Sequence, residues 1–550
     1  MRYLGISPLI LVLLTAPVRS QAPEPILRST TRLVQINVIV TKHGNEPVQG
    51  LKKEDFQVFD NGKRQEIRQF SEETRAILPS SSESLPPGTF TNQLEQRAGT
   101  PAAVTAILLD GVNTNFSDQA YARLQVINFL KQIQPEDRIA IYTLDNRGLR
   151  VLHDYTTDSS DLVAKLGKYQ GNIPPDVAGT SSVSDDFLGG WMGSARGNSA
   201  ERAYYLNDRI QATFRAIEFI ANNLATLPGR KNLIWVSAAF PLQIGLLHPP
   251  GPLGGASTVP TGASSRPLAS SPGSSARSFP SGLREQRDWT GDADRTVRAL
   301  NNANLAIYPV DARGLVASAS AARTSSRVVN NQSTMLDLAS RTGGRAFVNS
   351  NDIAGAIRTA VADSAVTYTL GFYPQNDKFD NSFHKLTVKL PDLSHLTLQY
   401  RRGYVDQNAP SQDDRLRRAE LADSVYSPMD ANGIGLRASL RQTSAGIDVS
   451  LRVDPKSIVL QPQGDHWAGK LDLLFVQKEP HGRQLSGIDD TLSMELSQPN
   501  YDRVQKDGLM YHRVIPRNTQ ASELRVVVRD AATGALGSVT APFNEIFSQP

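Results

Sequence analysis

The 550-residue chain contains no cysteine. That excludes disulfide staples, a lipid-modified N-terminal cysteine and thiol catalysis, and leaves stability to apolar cores. Beyond the N-terminal stretch there is no run of ~20 apolar residues, so no membrane span is expected. An excess of one charge is missing too: 58 Lys and Arg against 54 Asp and Glu leave +4. The basic residues are scattered rather than striped, which argues against a nucleic-acid partner. There is no Gly-x-Ser-x-Gly elbow, no three-glycine dinucleotide turn and no Gly-Lys-Ser/Thr phosphate cradle, and no two histidines stand at metal-ligand spacing.

What is present is an ordinary globular composition, 39% hydrophobic and 20% charged, over a length that divides into about three folded units. Residues 1–20 read as a secretory signal peptide. A basic head at Arg2, an apolar core over Leu9–Leu14 and the small residues Val18 and Ser20 place cleavage after Ser20, and the mature chain is expected to be secreted or periplasmic.

Period-two alternation over 24–75, broken by Asn-Gly turns, predicts a small β unit, and the Ser-, Pro- and Gly-rich stretch 76–101 a linker. From 102 to 365 short apolar strands alternate with long amphipathic helices. Strands are predicted at 104–109, 139–144, 149–156, 232–237, 305–310 and 345–348, and helices from Ser117, between Ser199 and Leu227, and at 287–303, 333–341 and 352–364. That alternation implies an α/β fold, a doubly wound, mostly parallel sheet, with an antiparallel edge where Asn146-Arg147-Gly148 makes a short turn. Its low-complexity interruption 241–283 is expected to be disordered. Strands 366–405 are expected to pair with the N-terminal unit; 406–430 reads as a charged helical connector and 431–550 as a C-terminal β-sandwich.

Asp110 closes the first strand of the α/β region, in Thr105-Ala106-Ile107-Leu108-Leu109-Asp110-Gly111-Val112-Asn113-Thr114. Loops at the carboxyl ends of parallel strands build ligand sites. A strand-terminal Asp there can attack, bind a metal or cap the turn. Nucleophilic phosphatase chemistry calls for a second carboxylate two residues on, where Val112 stands.

Ile107-Leu108-Leu109-Asp110, the long helix that follows and Pro135-Glu136-Asp137-Arg138-Ile139-Ala140-Ile141-Tyr142 resemble a von Willebrand factor A domain. With Asp55-Phe56-Gln57-Val58-Phe59-Asp60-Asn61-Gly62-Lys63, Ile307–Leu315 and Tyr368–Pro374, the chain is similar over about 30–405 to the von Willebrand factor A-related proteins of the Acidobacterial type. The resemblance implies Mg²⁺ held by Asp-x-Ser-x-Ser, a Thr of a second loop and a later Asp. Asp110 matches the first position and Thr114 the last; Asn113 would lend a carbonyl oxygen and Thr180 stands for the second-loop Thr. Val112 replaces the first Ser, and Trp235–Phe240 contains no carboxylate, so the adhesion site is degenerate. Either a weak cation site results, or Asp110 and Thr114 order the loop by hydrogen bonds.

The expected function is non-enzymatic binding of another protein, or of a matrix or envelope component, by the carboxyl edge of the sheet. The alternatives are a metal-assisted hydrolase using Asp110, Asp145 and Asp311, and a structural component of the cell envelope.

Overall fold

The computed structural model describes residues 33–42, 46–74, 85–93, 104–134, 137–156, 158–171, 199–225, 227, 229–238, 289–314, 321–374, 382–405, 414–479 and 482–547. The predicted signal peptide and the stretch 241–283 lie outside them. The chain is a mixed α/β structure with several sheets.

Val104–Asp110 is apolar and β-rich enough to be buried at every residue, and it forms the centre of a five-stranded sheet. Across that sheet run Leu305–Asp311, Lys231–Ser237, Val104–Asp110, Arg138–Asp145 and Gly148–Thr156. The first four are mutually parallel, and the last turns back antiparallel to Arg138–Asp145. Alternate residues of the central strand serve two cores. Ala106 and Leu108 pack with Phe214, Ile217, Leu300 and Leu338 on one face, while Ile107 and Leu109 pack with Val126, Phe129, Leu162 and Ile357 on the other. Period-two side chains facing helices on both sides explain why these strands read as continuous apolar runs.

Because all four parallel strands end at one edge, that edge collects Asp110, Asp145, Ser237 and Asp311. The helix Phe116–Leu130 starts there, its Asn115 side chain accepting from Asp118 N. At the opposite, amino edge the strand Val34–Lys42 packs in. It pairs with Val366–Phe372 through residues 34–38 and with Thr397–Gln399 through 39–41, while Gln57–Asp60 pairs with Phe383–Lys389. The α/β region is thus inserted between strands that share one apolar cluster, with Ile36, Val58, Tyr368 and Leu386 at its centre.

Two further sheets share a cluster near the C-terminus. Leu436, Val449 and Leu451 of one meet Leu473, Val526 and Val539 of the other.

Several elements differ from the sequence reading. Thr89–Thr91, placed in the linker 76–101, is an edge strand of the C-terminal unit that pairs with Leu436–Thr443. Phe90 enters that core and the Asn92 amide donates to Ala431 O and Ile434 O while accepting from Leu436 N. One aromatic and one buried amide outweigh the Pro- and Gly-rich surroundings. The strand expected at 345–348 is a single bridge between Val310 and Phe347; Pro309 beside it lacks the N–H that would extend the ladder. The last of the strands expected within 366–405, read over 397–404, splits into Thr397–Gln399 and Gly403–Val405, which join different sheets. Arg402 N turns aside between them to Ser340 O.

Candidate functional site

Asp110 is not presented to solvent. Its residue is 2% exposed, and its two oxygens accept four hydrogen bonds. Oδ1 takes Asn113 N at 3.1 Å; Oδ2 takes Asn113 Nδ2 at 2.8 Å, Trp235 Nε1 at 3.0 Å and Ser237 Oγ at 3.0 Å. Of the two outcomes expected for Asp110, a cation site or a loop ordered by hydrogen bonds, the geometry is that of the second. The cause is the neighbouring strand Lys231–Ser237, whose parallel register sets Trp235 beside Leu108 and carries Ser237 to the same edge.

The loop after Asp110 is closed from both sides. Asn113 Nδ2 also donates to Thr213 Oγ1 at 2.7 Å, Thr114 Oγ1 accepts from Ala238 N at 3.0 Å, and Gln119 Nε2 spans Gly111 O and Thr114 O at 3.0 and 2.7 Å. Asn113 and Thr114 are buried with Asp110, so none of the three meets a partner directly. Gly111 allows the loop to hug the next strand: its N–H donates to Leu144 O at 2.8 Å, and a Cβ there would lie 3.0 Å from the same oxygen. Burial pushes the Asp110 carboxyl above its usual range, opposed by the donors from Asn113, Trp235 and Ser237.

These residues do not fit Mg²⁺. A hard cation takes about six oxygens at near-octahedral geometry and keeps several waters. Here the carboxylate lone pairs face N–H and O–H donors, and the cavity beside Asp110 measures about 10 Å³, room for at most one water. Asn113 Oδ1, buried and without a hydrogen-bond partner, is one oxygen where several are needed. Thr180 lies outside the described residues. Among the described residues no three His, Asp or Glu side chains gather in a metal-binding group.

The other edge acids are also satisfied. Asp145 accepts from Arg147 N at 2.8 Å and from the Arg150 guanidinium. Asp311 takes Arg313 N and Nε at 3.1 and 2.9 Å on one oxygen and Arg313 Nη2 at 2.7 Å on the other. Neither acid stands open for proton transfer. Among the described residues at this edge, Phe116 is 52% exposed, and Arg147 and Arg150 of the hairpin after Asp145 are exposed as well.

Sequence reasoning passed over the donors Trp235 and Ser237, since that segment drew attention for lacking a carboxylate; the signal was their place at the end of an apolar strand. It also passed over a buried cluster in the β unit. There His384 Nδ1 lies 3.0 Å from Asp60 Oδ1 and Tyr404 Oη donates to Asp60 Oδ2 at 2.9 Å. No local spacing announces that cluster, because Asp60 and His384 are 324 positions apart.

No family model matches the chain, and no curated protein matches it. Among solved structures, the crystal structure of the SpRpn10 VWA domain is similar over 47% of this chain and 96% of that one, at 10% sequence identity and a TM-score of 0.23. A likeness at that score carries no argument.

Proposed function

We propose that the chain is a non-enzymatic binding protein, secreted or periplasmic. Its doubly wound unit of the von Willebrand factor A type, flanked by β units that include a C-terminal β-sandwich, engages another protein through the carboxyl edge of the sheet without a metal ion. The observation that supports this reading most directly is the sorting of side chains at that edge. The acids turn inward and accept hydrogen bonds from protein donors, whereas Phe116, Arg147 and Arg150 are exposed. Aromatic and arginine side chains are the types that dominate binding energy at protein interfaces, and exposed guanidinium groups suit an acidic partner surface. Asp110 serves in this reading as an internal acceptor that fixes the loop carrying Phe116.

The test is capture from an envelope fraction of the source cells, performed with and without EDTA, using the full chain, Phe116→Ala and Arg147→Glu. A protein retained by the native chain in EDTA and lost with both folded variants supports the reading. Recovery that requires Mg²⁺, or that both variants leave intact, overturns it.

A further inference from the structure

A larger cavity lies at the opposite edge of the sheet, where no functional residue was expected. It has a volume of about 230 Å³ and sits where the strand Val34–Lys42 meets the amino ends of Lys231–Ser237 and Leu305–Asp311. Its wall is unusually cationic: Arg230, Arg298, Arg341 and Arg401 line it, against the single acid Asp294. Among the residues that line it, four positive charges thus stand against one negative, and Asp337 lies just behind Arg341.

Two of these guanidinium groups are buried with hydrogen-bonding capacity unused. Arg341, 8% exposed, donates from Nη2 to Asp294 Oδ1 at 2.6 Å; its Nη1 stands 3.7 Å from Asp337 Oδ2 and has no hydrogen-bond partner. Arg230, 4% exposed, donates from Nη2 to Gly343 O at 2.6 Å and Tyr308 Oη at 3.2 Å, while its Nε has no partner. Buried donors left unsatisfied are costly, and buried cations are normally paired. Burial lowers the pKa of Arg298, with Asp294, Glu420 and Glu218 acting in the opposite direction.

We infer that this cavity is a binding site for a small organic oxyanion, a dicarboxylate or a phosphate, held by Arg230, Arg298, Arg341 and Arg401. Guanidinium forks match the paired oxygens of both groups. The volume falls below the ~300–1,000 Å³ of drug-sized sites, which limits the ligand to a compact molecule. Since the wall combines residues of the inserted α/β region with Arg401 and Tyr404 of the β unit, an occupant would also brace the two against each other. The inference is independent of the reading given for the carboxyl edge.

Calorimetric titration of the full chain with succinate, and separately with inorganic phosphate, at constant chloride tests it. The native chain is expected to give one saturable event with at least one probe, and the identity of that probe separates a planar from a tetrahedral head. Arg298→Gln, at a half-buried position, should weaken binding about tenfold or more without moving the thermal midpoint, as loss of a charge-assisted contact does. Arg341→Gln, which also removes the ties to Asp294 and Asp337, should weaken binding as much where it folds, and Arg503→Gln, on the exposed helix Gln498–Asp507, should leave binding unchanged. Absence of binding to both probes in the native chain overturns the inference, as does equal affinity in native, Arg298→Gln and Arg341→Gln proteins.

Discussion

At the scale of single residues, Asp110 shows how position and environment separate. Its place at the end of an apolar strand makes it look like a ligand, but the indole of Trp235 and the hydroxyl of Ser237 turn it into an acceptor of four hydrogen bonds. Replacing Trp235 by Phe keeps most of the buried ring and removes one donor to a buried carboxylate. That substitution is expected to lower unfolding free energy by about 1–3 kcal/mol, measured as a shift in the denaturant midpoint at constant slope. An unchanged midpoint would show that the indole N–H contributes nothing to holding the carboxylate. The candidate positions Asp110, Asn113 and Thr114 were legible in the sequence as a cluster after the first strand. Their inward orientation was not, because the two donors arrive from a strand more than 120 residues away.

At the scale of elements, the helices Thr290–Asn302 and Ala321–Thr342 are tied by Arg341, which reaches Asp294 on one and Asp337 on its own helix. Burial raises the Asp337 carboxyl from 3.8 to about 6, against the pull of Arg341. A carboxyl raised in the folded state binds its proton there when the unfolded chain has already released it. Its stabilising contribution is therefore complete below the unfolded pKa and is lost as pH rises through the folded one. Between about pH 4 and 6, native stability should fall relative to Asp337→Asn as pH increases, a trend read from denaturant midpoints across that window. Parallel curves for the two proteins would rule it out. Local pattern announced some elements better than others. Asp158 ahead of Leu162 and Leu166 carries a cap-and-stripe signal for the helix Ser159–Lys168, whose start it caps by accepting from Ser160 N and Asp161 N, yet the segment was not read as a helix. Periodicity also gave no warning that Pro309 would reduce 345–348 to one bridge.

At the scale of the whole molecule, units are closed by segments distant in sequence. Asn92 joins the short strand Thr89–Thr91 to the C-terminal sheets through three hydrogen bonds over 339 to 344 positions. Asn92→Ala leaves one buried N–H and two carbonyls without those partners, and is expected to cost about 2–4 kcal/mol if the losses partly add. The loss should appear as earlier melting of the C-terminal unit in hydrogen exchange, with faster exchange at Leu436. Unaltered exchange there would assign the pairing of Thr89–Thr91 to its backbone alone. The same long-range closure forms the amino-edge cavity, whose arginines come from positions 230, 298, 341 and 401.

The sequence by itself determined most of the strands and long helices of the α/β region, the helix Ser159–Lys168 and the stretch 345–348 apart, because apolar periods of two and 3.6 are local and each is satisfied by burial on one face or two. It also determined which acids stand at the strand ends. Only the tertiary structure decided that those acids face inward, that Thr89–Thr91 belongs to the C-terminal sheets, and that four scattered arginines share one recess. Those outcomes depend on which side chains meet across hundreds of positions, and hydrogen-bond partners and local charge leave no periodic trace in the chain.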